Sequence, residues 1–224
     1  MKFITISKLL LVLIFPLLIF LVIFNFTGFN ENYFRQKFSD YGINDASLIS
    51  IHEKILNFVK GNNNELPNEL NEREKQHLLD VRKAINYSAI LLYVLIALFV
   101  ILLVISALTL KANNYITNFV GKVLVFGGFL TIMLAGALLI LIYFDFSSVF
   151  EGFHLMLFQQ GTYTFDPVKE MLVRLYPEQL FMDLGLRISK GVFFVSIIFI
   201  LIGVFLMLKS KSQKSKVSVK NHQS

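Results

Sequence analysis

The stretch YSAILLYVLIALFVILLVISALTL, residues 87–110, decides the fold of this chain. Its 24 residues include no charged side chain, and roughly 20 mostly apolar residues are enough for a helix to cross the hydrocarbon core of a bilayer. Three further stretches are similarly apolar, at residues 4–26, 121–144 and 191–208. The sequence therefore predicts an all-α membrane protein, a single integral membrane domain over residues 1–224 with four transmembrane helices.

The composition indicates the same class of protein. Of the 224 residues, 55% are hydrophobic and only 16% are charged, which lies outside the usual range of soluble globular domains. The chain has no Cys, so it has neither a disulfide nor a thiol nucleophile, and any chemistry must use oxygen and nitrogen groups. No spanning segment contains an acidic residue, which disfavours the ion pathway of a channel or transporter.

The charged residues are segregated along the chain. All fifteen acidic residues fall within residues 27–84 and 143–190, whereas the two ends and the second connection carry nine basic residues and no acid. Because Lys and Arg concentrate in short cytoplasmic flanks, this pattern predicts that both termini are cytoplasmic. The two long loops, 27–86 and 145–190, are then extracytoplasmic and form a small helical outer cap. We expect a multi-pass protein of the cell membrane whose active face is outside.

The two ends of the chain need separate interpretations. The Lys-rich tail, residues 209–224, is interpreted as a topology anchor that touches anionic lipid heads, and no nucleic-acid partner is expected. The alternative for residues 4–26 is a cleaved signal peptide. That apolar run is long, however, and no small-x-small cleavage site follows it.

The first outer loop has a helical pattern. Amphipathic pieces lie at residues 33–38 and 46–59. Asn71 and Glu74 then have the spacing of a capping box, and the apolar pattern after them continues without a breaker into the second span. We therefore predict one long helix over residues 71–110.

A His lies between two carboxylates on that helix. Glu74, His77 and Asp80 follow one another at i, i+3 spacing and share one helical face. An Asp one turn from a His can accept its ring N–H and stabilise the imidazolium form. The alternative is a solvated charged face, because other charged residues crowd the same turns.

The second outer loop also contains a His with a carboxylate one turn away. His154 follows Glu151 by three residues inside the aromatic stretch 150–158, and apolar surroundings favour a neutral, basic imidazole. One alternative is a His at the membrane surface without a role. Another is a metal site that joins both His to Asp80 and Glu151, but the HxxD and ExxH spacings match no closed zinc signature, so no metal is predicted.

These residues carry a resemblance to a known family. The stretches concerned are Glu74-x-x-His77-Leu78-x-Asp80-Val81 and, in the second loop, Phe153-His154 through Phe165-Asp166-Pro167 to Arg174-Leu175-x-Pro177-Glu178. They resemble the lipoprotein intramolecular transacylases, which are bacterial four-span membrane proteins, and the likeness in spans and loop lengths covers essentially the whole chain. It implies transfer of the sn-2 acyl group of a diacylglyceryl-modified lipoprotein to the amino group of its N-terminal Cys. The product is an N-acyl, S-monoacylglyceryl (lyso) lipoprotein.

The resemblance implies that the two outer histidines, His77 and His154, are catalytic. A base is needed because an α-amino group with a pKa of roughly 8 is largely protonated at neutral pH. Asp80 and Glu151 would orient the two rings, and Glu74 is a further supporting carboxylate. The candidates to stabilise the oxyanion or bind substrate are Arg174, Tyr163, Tyr176 and Asp166. No cofactor is expected, and the partners are the lipoprotein N-terminus and membrane lipid.

Two other functions are compatible with the sequence. One is a different lipid esterase or acyltransferase that uses the same residues. The other is a non-catalytic membrane subunit with an outer binding domain. The remaining histidines, His52 and His222, are predicted to be surface residues.

Overall fold

The structure is a computed structural model that describes residues 2–158 and 163–222, with side chains as far as residue 214. The sequence also predicts a turn over residues 159–167, and its first four residues lie outside the described ones. The side chains of Lys216, Lys220 and His222 in the tail also lie outside them.

The described residues form helices and no strand. The seven helices are α1 (Lys2–Thr27), α2 (Glu31–Asp40), α3 (Ala46–Val59), α4 (Glu72–Leu110), α5 (Asn113–Leu157), α6 (Met171–Leu175) and α7 (Glu178–His222). Four of them, α1, α4, α5 and α7, are long and apolar enough to cross a membrane. This confirms the prediction of an all-α protein with four spanning helices.

Two of the spanning helices continue well into the predicted second loop. Helix α5 runs on to Leu157 across a break at Asp145, where the backbone leaves the helical region (φ −156°, ψ 78°). The Asp145 carboxylate accepts a hydrogen bond from the Ser148 N–H at 3.0 Å, so it caps the second half of the helix. Helix α7 already begins at Glu178. The predicted second loop, residues 145–190, is thus largely helical, because the capping Asp145 restarts α5 and α7 begins before the predicted fourth span.

The chain divides into two compact units. Unit 1 consists of Met1–Ile23, Leu91–Leu138 and Ser189–Ser224, and it contains apolar spanning segments. Its helices α5 and α7 approach closely where Gly121 faces Gly203. A Cβ atom on Gly121 would lie 2.8 Å from the Gly203 carbonyl oxygen. Small residues at such crossings let helix backbones touch, which is how helices associate in lipid.

Unit 2 consists of Phe24–Ile90 and Leu139–Ile188, so the two inter-span loops fold together. Its apolar core joins residues from α2, α3, α4, α6 and α7. The most buried members are Phe34, Phe38, Ile51, Ile55, Phe58, Leu70, Leu78, Leu172, Leu175 and Leu180. The loops are therefore a folded helical body with its own core, as the sequence predicts.

His52 belongs to this core. Its side chain is fully buried, with ring centroids 4.9 Å from Phe34 and 4.7 Å from Phe38. Its Nδ1 atom is hydrogen-bonded to the Tyr176 hydroxyl at 2.9 Å. The prediction of a surface histidine was wrong, because His52 lies on the same face of α3 as Ile51 and Ile55 and is buried with them.

Candidate active site

Unit 2 brings the two predicted histidines together. His77 lies in the second turn of α4, and His154 lies near the end of α5. Their ring centroids are 6.3 Å apart and the ring planes are inclined by only 18°. The two imidazoles come from positions 77 residues apart in the chain, so this juxtaposition is a product of the fold.

The orientation of His154 is fixed by its own helix. The Nδ1 atom lies 2.7 Å from the carbonyl oxygen of Phe150, one turn earlier. Because a carbonyl oxygen only accepts hydrogen bonds, Nδ1 carries the hydrogen and the neutral ring has its lone pair on Nε2. Glu151, which we expected to orient this ring, is exposed, and the backbone carbonyl takes that place.

His77 is buried without a partner for one of its nitrogens. Its side chain is 9% exposed, and Nδ1 has no hydrogen-bond partner in the described part of the chain. The Asp80 carboxylate, which we expected to accept from this ring, instead accepts from the Lys83 ammonium at 2.9 Å. The alternative of a solvated face is wrong at His77, and Asp80 influences the ring through its charge alone.

Aromatic rings enclose both imidazoles. The Phe158 ring centroid lies 4.9 Å from that of His77 and 5.5 Å from that of His154. Phe165 packs edge-on to His77 at 5.4 Å, and Phe150 packs on His154 at 4.1 Å. Tyr163 adds a further ring at 5.0 Å from His154.

This enclosure changes the acid–base properties of both rings. Burial disfavours the charged imidazolium and lowers the pKa of His77 to about 4. The nearby His154 lowers that pKa further, and the charge of Asp80 opposes the change. Burial also lowers the pKa of His154, although its bond to the Phe150 carbonyl acts in the opposite direction. Both histidines are therefore neutral at physiological pH and able to accept a proton.

Glu74 supports the helix rather than either ring. It is 2% exposed, and its Oε2 accepts from the Asn71 N–H at 2.9 Å. The Asn71 side chain in turn accepts from the Glu74 N–H, which confirms the predicted capping box. Oε1 of Glu74 accepts from the Leu172 N–H at 2.7 Å, so this carboxylate also anchors the start of α6.

Glu170 makes a second link between the same two segments, and the sequence alone did not identify it as part of the site. Its buried carboxylate accepts from the Arg73 guanidinium and from the Asn71 side chain. It also accepts from the Asp166 N–H at 2.6 Å. Asp166, a predicted substrate ligand, forms the turn before Glu170, where its Oδ1 accepts from the Val168 N–H.

The other predicted oxyanion ligands lie in different surroundings. Tyr163 contacts His154 directly. The Tyr176 hydroxyl is bonded to His52 in the core of unit 2, and burial raises its pKa, so it is placed for packing. Arg174 is exposed on α6. Of the three side chains, only Tyr163 contacts one of the paired histidines.

The described residues contain no group of three or more His, Asp or Glu side chains that could hold a metal ion. The side chains of the site itself are the two imidazoles and the aromatic rings around them. Fold and site together define a multi-pass membrane protein with paired, neutral histidines suited to proton transfer or nucleophilic attack.

Comparison with known proteins identifies the family. The model of the family described as lipoprotein intramolecular transacylase Lit matches residues 3–181. Among solved structures, the membrane-integral lipoprotein intramolecular transacylase Lit from Bacillus cereus aligns with a TM-score of 0.80. That alignment has 20% sequence identity and covers 93% of this chain and 98% of the other. No curated protein matches this chain.

Two further structures are variants of the Bacillus cereus protein in which one histidine is replaced by arginine or by alanine. Each aligns with a TM-score of 0.76 and 20% identity. The arginine variant covers 94% of each chain, and the alanine variant covers 93% of this chain and 96% of the other. This chain belongs to the lipoprotein intramolecular transacylase family. It is therefore an acyl-transferring membrane enzyme, and the alternative of a non-catalytic subunit is wrong.

Proposed function

We propose that this enzyme moves the sn-2 acyl group of a diacylglyceryl-Cys lipoprotein to the α-amino group of the same Cys. The product is the N-acyl, S-monoacylglyceryl (lyso) form. The observation that carries the proposal is the pair of neutral imidazoles 6.3 Å apart inside an aromatic enclosure. Both rings are close enough to serve one ester-sized group.

His154 is the proposed base. The attacking amine must lose a proton, and its pKa of roughly 8 leaves it mostly protonated at neutral pH. His154 donates its Nδ1 hydrogen to the Phe150 carbonyl oxygen, so the lone pair on Nε2 is the proton acceptor. A tautomer fixed before substrate arrives needs no rearrangement during the reaction.

His77 is proposed to relay a proton to the leaving glycerol oxygen, because its neutral ring can accept a proton on one nitrogen and donate the hydrogen of the other. The ammonium first loses one proton through His154 to solvent. The neutral amine nitrogen then forms a bond to the ester carbonyl carbon, the bond from that carbon to the sn-2 oxygen breaks, and the sn-2 oxygen gains the second proton that the nitrogen loses. The reaction balances without a co-reactant. An acyl-imidazole on His154 is the alternative path, and in it the same proton reaches the same oxygen.

The aromatic enclosure has a clear part in this chemistry. Water in the site would hydrolyse the ester and produce a free fatty acid. Phe150, Phe158 and Phe165 cover the two imidazoles with apolar surface. Tyr163 lies against His154 and is the remaining candidate to donate a hydrogen bond to the oxyanion.

The location of the reaction follows from its substrate. A diacylglyceryl lipoprotein is held in the membrane by its acyl chains, so the site must meet the lipid surface. Exposed apolar side chains follow and precede His154 on α5, including Phe153, Leu155 and Met156. We propose that this surface contacts lipid on the extracytoplasmic side of the cell membrane.

The test is the acyl pattern of a lipoprotein. The chain is expressed in a bacterial strain that lacks lipoprotein N-acylation, beside His154→Ala, His77→Ala and the tail variant His222→Ala. Mass spectrometry of an N-terminal lipopeptide should show the lyso form with the unchanged chain and with His222→Ala. It should show diacylglyceryl-Cys with the two site variants at equal expression.

Two results would overturn the proposal. Full lyso product from either site variant would remove that histidine from the chemistry. Release of free fatty acid without N-acylation would assign the site to a lipid esterase instead.

A further inference from the structure

Arg73 and Glu170 form an ion pair next to the site. The Glu170 side chain is 8% exposed, and Arg73 donates from Nε to Oε1 at 3.0 Å and from Nη2 to Oε2. Burial alone would raise the pKa of Glu170, but the hydrogen bonds from Arg73, Asp166 and Asn71 lower it overall. The carboxylate is therefore charged, and it accepts a bidentate pair of hydrogen bonds from the guanidinium.

The same guanidinium touches the aromatic enclosure. The Arg73 Cζ atom lies 5.2 Å from the centroid of the Phe165 ring, within the range of a cation–π contact. Phe165 in turn meets the His77 ring at 5.4 Å and 73°, which is an edge-on contact. A continuous chain of contacts thus runs from Glu170 through Arg73 and Phe165 to His77.

The backbone reinforces this chain of contacts. Phe165 precedes the turn in which the Glu170 N–H bonds to the Asp166 carbonyl at 2.8 Å, and the Glu170 carboxylate accepts from the Asp166 N–H. Releasing Glu170 from Arg73 would loosen this turn together with the ring that it carries.

We propose that Arg73 and Glu170 are positioning residues that hold Phe165 against His77 and so keep water away from that imidazole. This inference rests on the proposed function, because it assumes that His77 takes part in acyl transfer. Neither residue touches the reacting atoms. Their effect is carried by the aromatic ring that both of them fix.

The proposal predicts a change in the basicity of His77. The titratable groups that act on this ring are His154 on α5 and Asp80 on α4, and neither is altered by changing Arg73. If water reaches the ring, its pKa rises from about 4 toward the ordinary value. With a pKa of about 6, the fraction of neutral His77 would fall about tenfold between pH 8 and pH 5.

The variant to test is Arg73→Gln, and the chain offers a matched control. Arg82 lies on the same helix, its guanidinium is 4.8 Å from the Phe58 ring, and it is hydrogen-bonded in the Asn63–Asn64 segment. Arg82→Gln therefore removes the same charge and the same kind of ring contact away from the histidines. At each pH, the acyl-transfer rate of each variant is divided by that of the unchanged enzyme. The ionisation of the substrate amine affects both rates equally and therefore drops out of this ratio.

We expect the rate ratio for Arg73→Gln to fall about tenfold from pH 8 to pH 5, and the ratio for Arg82→Gln to stay flat. Phe165→Leu changes no charge and should give the same pH dependence. The double variant with Arg73→Gln and Phe165→Leu should show little further change in the pH dependence of the rate ratio, because both substitutions break one chain of contacts. NMR titration of isotopically labelled histidine should give a raised His77 pKa in both single variants.

The failures of the two proposals are distinguishable. A flat ratio and an unchanged His77 pKa in Phe165→Leu would overturn the positioning role, even if Arg73→Gln did not fold. Full activity of His77→Ala would instead overturn the proposed function on which this inference rests.

Discussion

His52 is a buried histidine that the proposed chemistry does not use, and it affects the molecule through its titration. Burial among Phe34, Phe38 and Tyr176 lowers its pKa to about 4, against an ordinary value near 6.5. Between those two pH values the unfolded chain binds a proton that the folded chain does not. His52 therefore does not reduce the free energy of unfolding above about pH 6.5. As the pH falls from there toward the folded pKa, the protonation of His52 in the unfolded chain lowers this free energy.

We predict that replacing this base weakens the response to acid. Between pH 7.5 and pH 5, His52 should contribute on the order of 2 kcal/mol to the loss of stability. His52→Asn keeps a polar group opposite Tyr176 but does not titrate in this range. In detergent, its melting temperature should fall less between these two pH values than that of the unchanged protein. An equal fall in both proteins would contradict the prediction, and His222→Asn serves as the control.

At the scale of residues, the sequence predicts which two histidines share a site better than it predicts what surrounds them. Each of His77 and His154 has a carboxylate at helical spacing, and the family resemblance singles out both of them. The actual partners could not be found in this way. The His154 ring bonds to a backbone carbonyl, which no residue type reveals, and Arg73 meets Glu170 across 97 positions of the chain.

Among the elements, the start of α4 matters most for the site. Glu74 closes the capping box with Asn71 and also accepts from the Leu172 N–H at the start of α6. One buried carboxylate therefore satisfies a free N–H group at each of two helix starts. His77 follows it by three residues, so the placement of this imidazole depends on a well-formed first turn.

We predict that Glu74→Ala destabilises the protein by about 2–3 kcal/mol, because buried N–H groups lose a charged acceptor. Hydrogen–deuterium exchange should speed up in residues 171–175 and in the first turn of α4. Glu72→Ala is the control, since that side chain is 91% exposed in the same turn and its loss should cost at most about 0.5 kcal/mol. Equal effects of the two substitutions would contradict the anchoring role of Glu74.

The existence of the elements could be predicted, but the exact course of two of them could not. The long apolar runs and the Asn71–Glu74 spacing predict α4 correctly, and α3 has the predicted bounds. The apolar pattern predicts a third span over residues 121–144, whereas α5 continues past it to Leu157. The helix resumes because the Asp145 side chain caps its next turn, a local effect that the hydropathy pattern does not contain.

For the whole molecule, orientation in the membrane is the property that the charge pattern predicts most directly. Unit 1 contains no acidic residue, and its basic residues include Lys111, Lys122 and Lys211. All fifteen acidic residues lie in unit 2. We propose that the Lys-rich ends are cytoplasmic, as the distribution of Lys and Arg in membrane proteins implies.

The absence of Cys makes this orientation directly testable, because any introduced Cys is the only thiol. Lys169→Cys lies in the second loop, where the Lys169 side chain is 80% exposed. Lys211→Cys lies on α7, in the Lys-rich C-terminal part of the chain. In intact cells, a membrane-impermeant maleimide should label Lys169→Cys and not Lys211→Cys. In permeabilised cells, it should label both variants. Labelling of Lys211→Cys alone in intact cells would invert the proposed orientation.

The bond between the His154 ring and the Phe150 carbonyl has one more consequence. Its acceptor is main-chain oxygen, so replacing the side chain at position 150 removes an aromatic neighbour but leaves the acceptor atom in place. An alanine scan would therefore never expose the group that selects the tautomer of this imidazole. Only chemistry on the polypeptide backbone, such as an amide-to-ester exchange at residue 151 that weakens this carbonyl as an acceptor, would do so.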